Sequence, residues 1–287
     1  MKTPSAADEI VLGDGTRIDI LYEDRSVMAI DKPFGWMFVP LAWSRTDKNL
    51  QLALESSIRE NPYWVRQKNL KYLRFIHRLD ADTTGLVLLA KSQGALDSLS
   101  GLFEQRLVEK RYLAVIEGRP PMSKWRCELA LGRTTGPRTR VLVEPDAGRP
   151  AITDFKLLES TRSRSLVEAR PLTGRTHQIR VHLADAGYPI VGDVLYGAPA
   201  RTASPPAKDP KRTNSRSSPS HRDFPEPKDR RKNMLPELGL RSVGLSYRDP
   251  FTKRQINIEA PTAEFVRRFG FTLKTAGEPP EDFQKPG

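Results

Sequence analysis

The sequence predicts an α+β fold with a mixed, largely antiparallel sheet flanked by helices, and three observations carry that reading. Short runs rich in β-branched and aromatic residues dominate the chain from Ile18 to Pro171. Apolar residues at helical spacing are confined to a few separate segments. The order of the two kinds of element is neither a strict β-α-β alternation nor an unbroken succession of strands.

IDILYE (18–23) and SVMAID (26–31) open the pattern as two strands, and GLVLLAKS (85–92) follows as a continuous apolar run of strand length. Between them NLQLALESSIREN repeats Leu50, Leu54 and Ile58 every four residues, which predicts a helix. ALDSLSGLFEQ places Leu96, Leu99, Leu102 and Phe103 on one helical face. RYLAVIEG (111–118), RCELALG (centred on 127–132), RTRVLVE (138–144) and SLVEARP (165–171) read as further strands. A third helix is expected over Thr176 to Ala186, with Thr176 as N-cap, Gly187 as the stop and Pro189 beyond it. After Pro261, Thr262 is placed to cap a last helix carrying Phe265, Val266 and Phe269.

Residues 198–236 break this pattern. Between 201 and 232 lie six prolines, five serines and Phe224 as the one large apolar residue, too little apolar surface to offset the entropy of ordering the segment. A disordered basic insertion is therefore expected over 198–239, inside a single folded unit built from 18–197 and 240–271. Residues 1–17 are expected to be an N-terminal extension and 272–287 a C-terminal tail.

Lys and Arg number 47 against 35 Asp and Glu, a formal net charge of +12. Ten of the basic and four of the acidic residues fall between 201 and 232, so half of the excess is local and the remainder of the chain is still basic. A polyanion such as nucleic acid is the natural partner of such a surface. The single cysteine, Cys127, can neither close an internal disulfide nor supply the thiolates of a zinc ribbon or iron–sulfur cluster. The N-terminus carries acidic residues where a signal peptide needs an apolar stretch, and no segment approaches the roughly 18 apolar residues of a membrane span. A soluble, cytoplasmic protein without a membrane partner is expected.

The stretch richest in chemistry is FIHRLDADTTGLVLLAK (75–91), where His77, Arg78, Asp80 and Asp82 crowd into six residues ahead of an apolar strand. As a calcium loop it places Asp80, Asp82, Thr84 and Gly85 at positions one, three, five and six, but the twelfth position, which needs a bidentate carboxylate, is Lys91. Asp80-Ala81-Asp82-Thr83 also resembles the paired-aspartate loop of haloacid-dehalogenase-type phosphatases. There the preceding strand is apolar, whereas here it would be His77-Arg78-Leu79, and no later acidic pair for magnesium stands out. That phosphatase is the alternative enzyme.

HRLDADTTG (77–85) resembles the far more specific signature of the RluA family of RNA pseudouridine synthases, and the resemblance recurs in order along the chain. AIDKPFGW (29–36) looks like the family's lysine–proline turn, and KRYLAVIEG (110–118) is similar to its tyrosine-bearing strand. TGRTHQIRVHLADAGYPIVGDVLYG (173–197) resembles its longest motif, and LRSVGLSYRDP with EAP (240–250, 259–261) its closing strands. The resemblance covers Ile18 to Phe271 apart from the insertion, and is to members without the S4 RNA-binding module. Thr84 stands where serine is common, Val39 where a histidine usually precedes Pro40, and Arg241 where a histidine is frequent.

The resemblance implies the pseudouridine synthase fold and the isomerisation of uridine to pseudouridine in structured rRNA or tRNA, by a monomer needing neither cofactor nor metal. That reaction breaks the N1–C1′ bond, turns the base over and joins C5 to C1′. A carboxylate serves either by adding covalently or by taking a sugar proton to form a glycal. By the resemblance Asp80 is that carboxylate, Arg180 its counter-charge, and Tyr112 the ring that stacks on the base and helps remove the C5 proton. The target must leave its stack, because a base inside an A-form stem is inaccessible. Arg78 is the candidate to fill the vacated place, and His77, Thr84, Arg175 and His177 are the other substrate-side candidates. An inactive RNA-binding protein of the same fold is the non-enzyme alternative, against which intact Asp80, Tyr112 and Arg180 argue.

Overall fold

The apolar run Thr84–Ala90 is buried at every position because, as β5, it lies inside the sheet with both faces covered. Its side chains alternate between two cores: Val87 and Leu89 join one cluster, while Leu86, Leu88 and Ala90 join another. The computed structural model describes residues 9–38, 48–134, 140–197 and 237–272. Among these residues twelve strands and five helices are formed.

The strands are β1 (Glu9–Val11), β2 (Arg17–Glu23), β3 (Val27–Lys32), β4 (Arg74–Phe75), β5, β6 (Glu109–Glu117), β7 (Lys124–Arg133), β8 (Val141–Val143), β9 (Arg149–Ser160), β10 (Arg164–Pro171), β11 (Leu240–Arg248) and β12 (Gln255–Glu259). They pair in the order β1-β2-β3-β5-β11-β6-β10-β9-β7-β8, with β4 added to β5 and β12 to β11. Every pairing is antiparallel except that of β5 with β11, where Thr84 and Gly85 face Arg241 and Ser242. β11 thus lies between β5 and β6, which do not pair with each other. The approach there demands glycine: Gly85 has φ +103°, and a Cβ on it would lie 2.1 Å from the Ser242 carbonyl oxygen.

Helices α1 (Leu50–Glu60), α2 (Tyr63–Gln67) and α4 (Gln178–Asp185) pack on the face of the sheet that carries Tyr112, while α3 (Gln93–Glu104) and α5 (Ala263–Arg268) cover the other. The N-terminal caps of α1 and α3 are side chains: Asn49 accepts from the Leu52 amide at 3.1 Å and Ser92 from that of Ala95 at 3.2 Å. Tyr112 packs against two apolar clusters on its face, one built from α1, α2, β3 and β5, the other from β6, β10 and α4.

The structure revises several expectations. β9, the longest strand, was not anticipated, because Pro150 and Asp154 interrupt its apolar character even though Ala151, Thr153 and Phe155 alternate inward. Of the strand expected over 138–144 only Val141–Val143 is ladder-paired, and residues 135–139 lie outside the described residues. Within the expected N-terminal extension, Ile10 and Leu12 are buried and Glu9–Val11 pairs with β2. The last residues assigned to the insertion also belong to the fold. Leu238 is buried, and Gly239 exchanges backbone hydrogen bonds with Val115 and Val191. Residues 198–236, and with them the expected disorder, lie outside the described residues, as do Val39 and Pro40.

Thr176 is not the N-cap of the third helix. Helix α4 begins two residues later, after His177, whose φ of 54° is left-handed. Gln178 ties this turn together: its Oε1 accepts from the Arg175 amide (3.0 Å) and the Thr173 hydroxyl (2.7 Å), and its Nε2 donates to the Ile152 carbonyl and the Thr153 hydroxyl oxygen, both at 2.9 Å. Thr176 instead accepts a hydrogen bond from Arg133 at 2.6 Å. Thr262 does occupy the N-cap position of α5, without a side-chain capping bond.

Candidate active site

The turn that carries Asp80 is held from below by a buried lysine. Lys32 ends β3, has no exposed surface, and spends its three N–H donors on the carbonyls of Pro33 (3.0 Å), Ala81 (2.8 Å) and Thr83 (2.8 Å). Burial draws its ammonium down to about 7, against the opposing attraction of Asp82, Asp80 and Asp31. The Gly35 amide donates to the Ala81 carbonyl and the Thr83 amide to that of Asp80, so the backbone of 80–83 is fixed before β5 begins.

Asp80 projects from this turn toward α4. Its Oδ2 lies 3.5 Å from Arg180 Nη1 and its Oδ1 3.8 Å from His177 Nε2, while its side chain keeps 26% exposure. Arg180 is buried, and Asp193 aims it through two parallel bonds, Nε to Oδ2 at 2.7 Å and Nη2 to Oδ1 at 2.8 Å. Asp193 also accepts from the amides of Leu195 and Tyr196. Burial works against its ionisation, but the hydrogen bond and charge of Arg180, with those two amides, hold its carboxyl below the usual range. Burial likewise opposes the charge on Arg180, and Asp193, Asp80 and Asp82 outweigh it. The guanidinium carbon stands 5.3 Å from the centroid of the Tyr196 ring.

Tyr112 comes from β6, in register with Ala169 of β10 and Ser242 of β11. Burial pushes its phenol above the ordinary range and the charge of Asp80 adds to the rise, so at neutral pH the hydroxyl keeps its proton. His177 is held below its usual range by burial; the charge of Asp80 pulls the other way, and that of Arg180 adds to the depression. The site therefore contains the partly exposed Asp80 carboxylate, a buried guanidinium beside it, a neutral imidazole and a neutral phenol.

The other candidates are placed differently. The ring of His77 turns inward, where Nε2 accepts the Leu88 amide at 3.0 Å and the ring stacks on Phe103 with centroids 4.7 Å apart. Burial draws it down to about 3, so it is neutral and fixes the loop to β5 instead of facing Asp80. Thr84 is buried opposite Arg241, Arg175 donates from Nε to the Pro150 carbonyl, and Arg78 is exposed. Arg241 is turned inward, donating to the Pro261 carbonyl and pairing with Asp31. Three residues that assemble the site were not singled out from sequence: Lys32, Asp193 and Tyr196. Each lies within a stretch that carried the resemblance, which was the only signal for them. Among the described residues no group of three or more His, Cys, Asp or Glu side chains is arranged to hold a metal ion.

The family model described as RNA pseudouridylate synthase matches residues 26–185. Ribosomal large subunit pseudouridine synthase D of Neisseria meningitidis is 30% identical over 265 residues, covering 92% of this chain and 63% of the relative. An uncharacterized RNA pseudouridine synthase of Zymomonas mobilis is 37% identical over 181 residues, covering 62% of this chain and 78% of the relative. The chain spans 63% and 50% of the length of the relatives from two Neisseria meningitidis serogroups. Among solved structures, human RNA pseudouridylate synthase domain containing 1 shares the fold, with a TM-score of 0.58 at 24% identity over 91% of this chain and 86% of that one. Ordered motifs, a carboxylate set against a buried arginine, and these likenesses converge: the chain belongs to the RluA family of RNA pseudouridine synthases.

Proposed function

We propose that this protein isomerises uridine to pseudouridine in a structured rRNA or tRNA, as a cytoplasmic monomer, with Asp80 as the catalytic carboxylate. The observation that carries this reading is the placement of Asp80, which keeps an open side while its two oxygens face Arg180 and His177. Asp80 attacks the base or sugar, or takes the sugar proton that yields a glycal; either way Arg180 balances charge on the carboxylate, with Asp193 keeping the guanidinium in place. Tyr112 presents an apolar ring for the flipped uracil, and its protonated hydroxyl is a polar tip beside the carboxylate. Arg78, exposed next to Asp80, serves the RNA side, whereas His77 acts on the loop. The phosphatase alternative lacks the apolar strand ahead of Asp80 and does not account for the family match.

Mapping pseudouridines in total RNA with and without the gene identifies the target. Asp80→Asn keeps size and shape but removes the ionised oxygen, so it is expected to abolish pseudouridine formation at that position while RNA binding is retained. Turnover within tenfold of the parent refutes the assignment. An EDTA-sensitive phosphatase activity would restore the alternative.

A further inference from the structure

Tyr196 and His177 form a short chain of hydrogen bonds that starts at the β8 backbone and ends on a ring whose far edge faces the catalytic carboxylate. The Val141 amide can only donate, and it does so to the Tyr196 hydroxyl oxygen at 3.1 Å. That oxygen also lies 2.9 Å from His177 Nδ1. The Val141 amide leaves the hydroxyl proton free to donate, and among the described residues Nδ1 is the acceptor within its reach. Burial raises the phenol above its ordinary range, so that proton is present at neutral pH. A neutral imidazole that accepts at Nδ1 carries its own proton on Nε2.

The other end of the ring requires the same tautomer. His177 Nε2 lies 3.8 Å from Asp80 Oδ1, and a bare nitrogen there would set a lone pair against a carboxylate, whereas an N–H sets a positive dipole toward it. The left-handed turn at His177 and the anchoring by Gln178 fix the ring edge-on to Tyr196, with centroids 5.7 Å apart at 76°.

We propose that Tyr196 locks His177 in the Nε2-protonated tautomer, so that its N–H steadies Asp80 Oδ1 while Arg180 faces Oδ2. Tyr196 and His177 are positioning residues in this scheme. The catalytic part rests on the pseudouridine synthase reading above; the tautomer does not. At 3.8 Å the contact is longer than a hydrogen bond, and such contacts tighten when substrate closes a site.

The tautomer is tested without RNA, by long-range proton–nitrogen correlation spectra of the nitrogen-15-labelled full chain near pH 7.5. The His177 signals are assigned by their loss in His177→Gln. The wild type is expected to show a protonated Nε2 and a bare Nδ1, and Tyr196→Phe a shift of both toward a mixture. A protonated Nδ1 in the wild type overturns the proposal, as does an unchanged tautomer in Tyr196→Phe. For catalysis, a transcript carrying the mapped uridine is used under single-turnover conditions. Tyr196→Phe should slow the reaction at saturating RNA by roughly 10- to 100-fold, the worth of one hydrogen bond to a charged group. The half-saturating RNA concentration should stay within twofold. An amide N–H has no tautomer to lose, so in the His177→Gln background Tyr196→Phe should change the rate by less than twofold. An equal loss in both backgrounds, or a loss confined to RNA affinity, overturns the positioning role. Absence of isomerisation on any RNA would fail the functional reading and leave the spectra to decide the tautomer.

Discussion

Replacing Asp193 by asparagine separates the charge that aims Arg180 from the charge that Arg180 serves. The Asp193 side chain has no exposed surface and that of Arg180 2%, so water cannot take over the lost interaction. Asparagine keeps the shape but offers one oxygen where Arg180 finds two, and presents an NH2 to the other guanidinium nitrogen or to the amides of Leu195 and Tyr196. Removing one partner of a buried ion pair destabilises by about 3–5 kcal/mol, because the surviving charge is left uncompensated. Asp80 at 3.5 Å compensates part of it, which argues for the lower end. At roughly 2–4 °C per kcal/mol for a domain of this size, the midpoint of thermal unfolding should fall by about 6–12 °C. The sign with pH follows. The carboxyl of Asp193 is depressed in the folded state, so its contribution is complete above its unfolded value near 3.9 and disappears as pH drops through the lower folded value. The difference between wild type and variant should therefore be constant at neutral pH and shrink only below about pH 4. Circular dichroism melts across pH 3–8, with single-turnover rates at a temperature where both proteins are folded, measure the two effects. A folded variant with an unchanged midpoint and an unchanged rate would refute the role assigned to Asp193.

Arg180→Leu removes the counter-charge itself and should lower activity by orders of magnitude with RNA affinity largely kept; an unchanged rate would mean the guanidinium is misassigned. His182 is fully buried and, among the described residues, neither of its ring nitrogens is hydrogen-bonded; burial draws it down to about 4. Its folded value lies below the unfolded one near 6.5, so the unfolded chain gains the proton first and stability falls as pH drops from about 6.5 to 4. Urea titrations should show a shallower decline over that window for His182→Leu, and an equal decline would refute it. Replacing residues 198–236 by a short glycine–serine linker between Gly197 and Glu237 removes half of the chain's net positive charge. Each lost phosphate contact should flatten log K against log salt by about 0.7–0.9, with chemistry at saturating RNA preserved; an unchanged slope would identify the segment as a spacer.

What could be read in the sequence follows the range of the interaction. β5 was legible because a continuous apolar run is the direct signature of a strand buried on both faces, and α1 and α3 because apolar spacing along the chain suffices. Five-residue α2 offers too short a period, and its burial depends on Trp64 reaching the Val11 carbonyl 53 residues away. The left-handed conformation of His177 is imposed by Gln178 and its bonds to residues of β9 and the preceding turn, which spacing along the helix does not reveal. Asp80, Tyr112 and Arg180 were identified by resemblance, but the work of Asp193 and Tyr196 lies in contacts made across 13 and 19 residues.

The central place of β11 has a consequence for a chain emerging from the ribosome. β3 and β5 carry the lysine-braced Asp80 turn, whereas Tyr112, His177 and Arg180 belong to the half built on β6, and the two halves meet in the sheet only through β11. That strand is synthesised after residue 239, so a nascent chain holds both parts of the site without the element that brings them together. Until then β6 presents an open edge, and β5 one at Thr84 and Gly85 beyond the stretch that β4 covers, the state in which strands add to other chains. Under the proposed function, isomerisation should accordingly begin only once Leu240–Arg248 has left the exit tunnel. Partial products of translation would be inert toward RNA and dependent on chaperones, and residues 198–236 lengthen the interval spent in that condition.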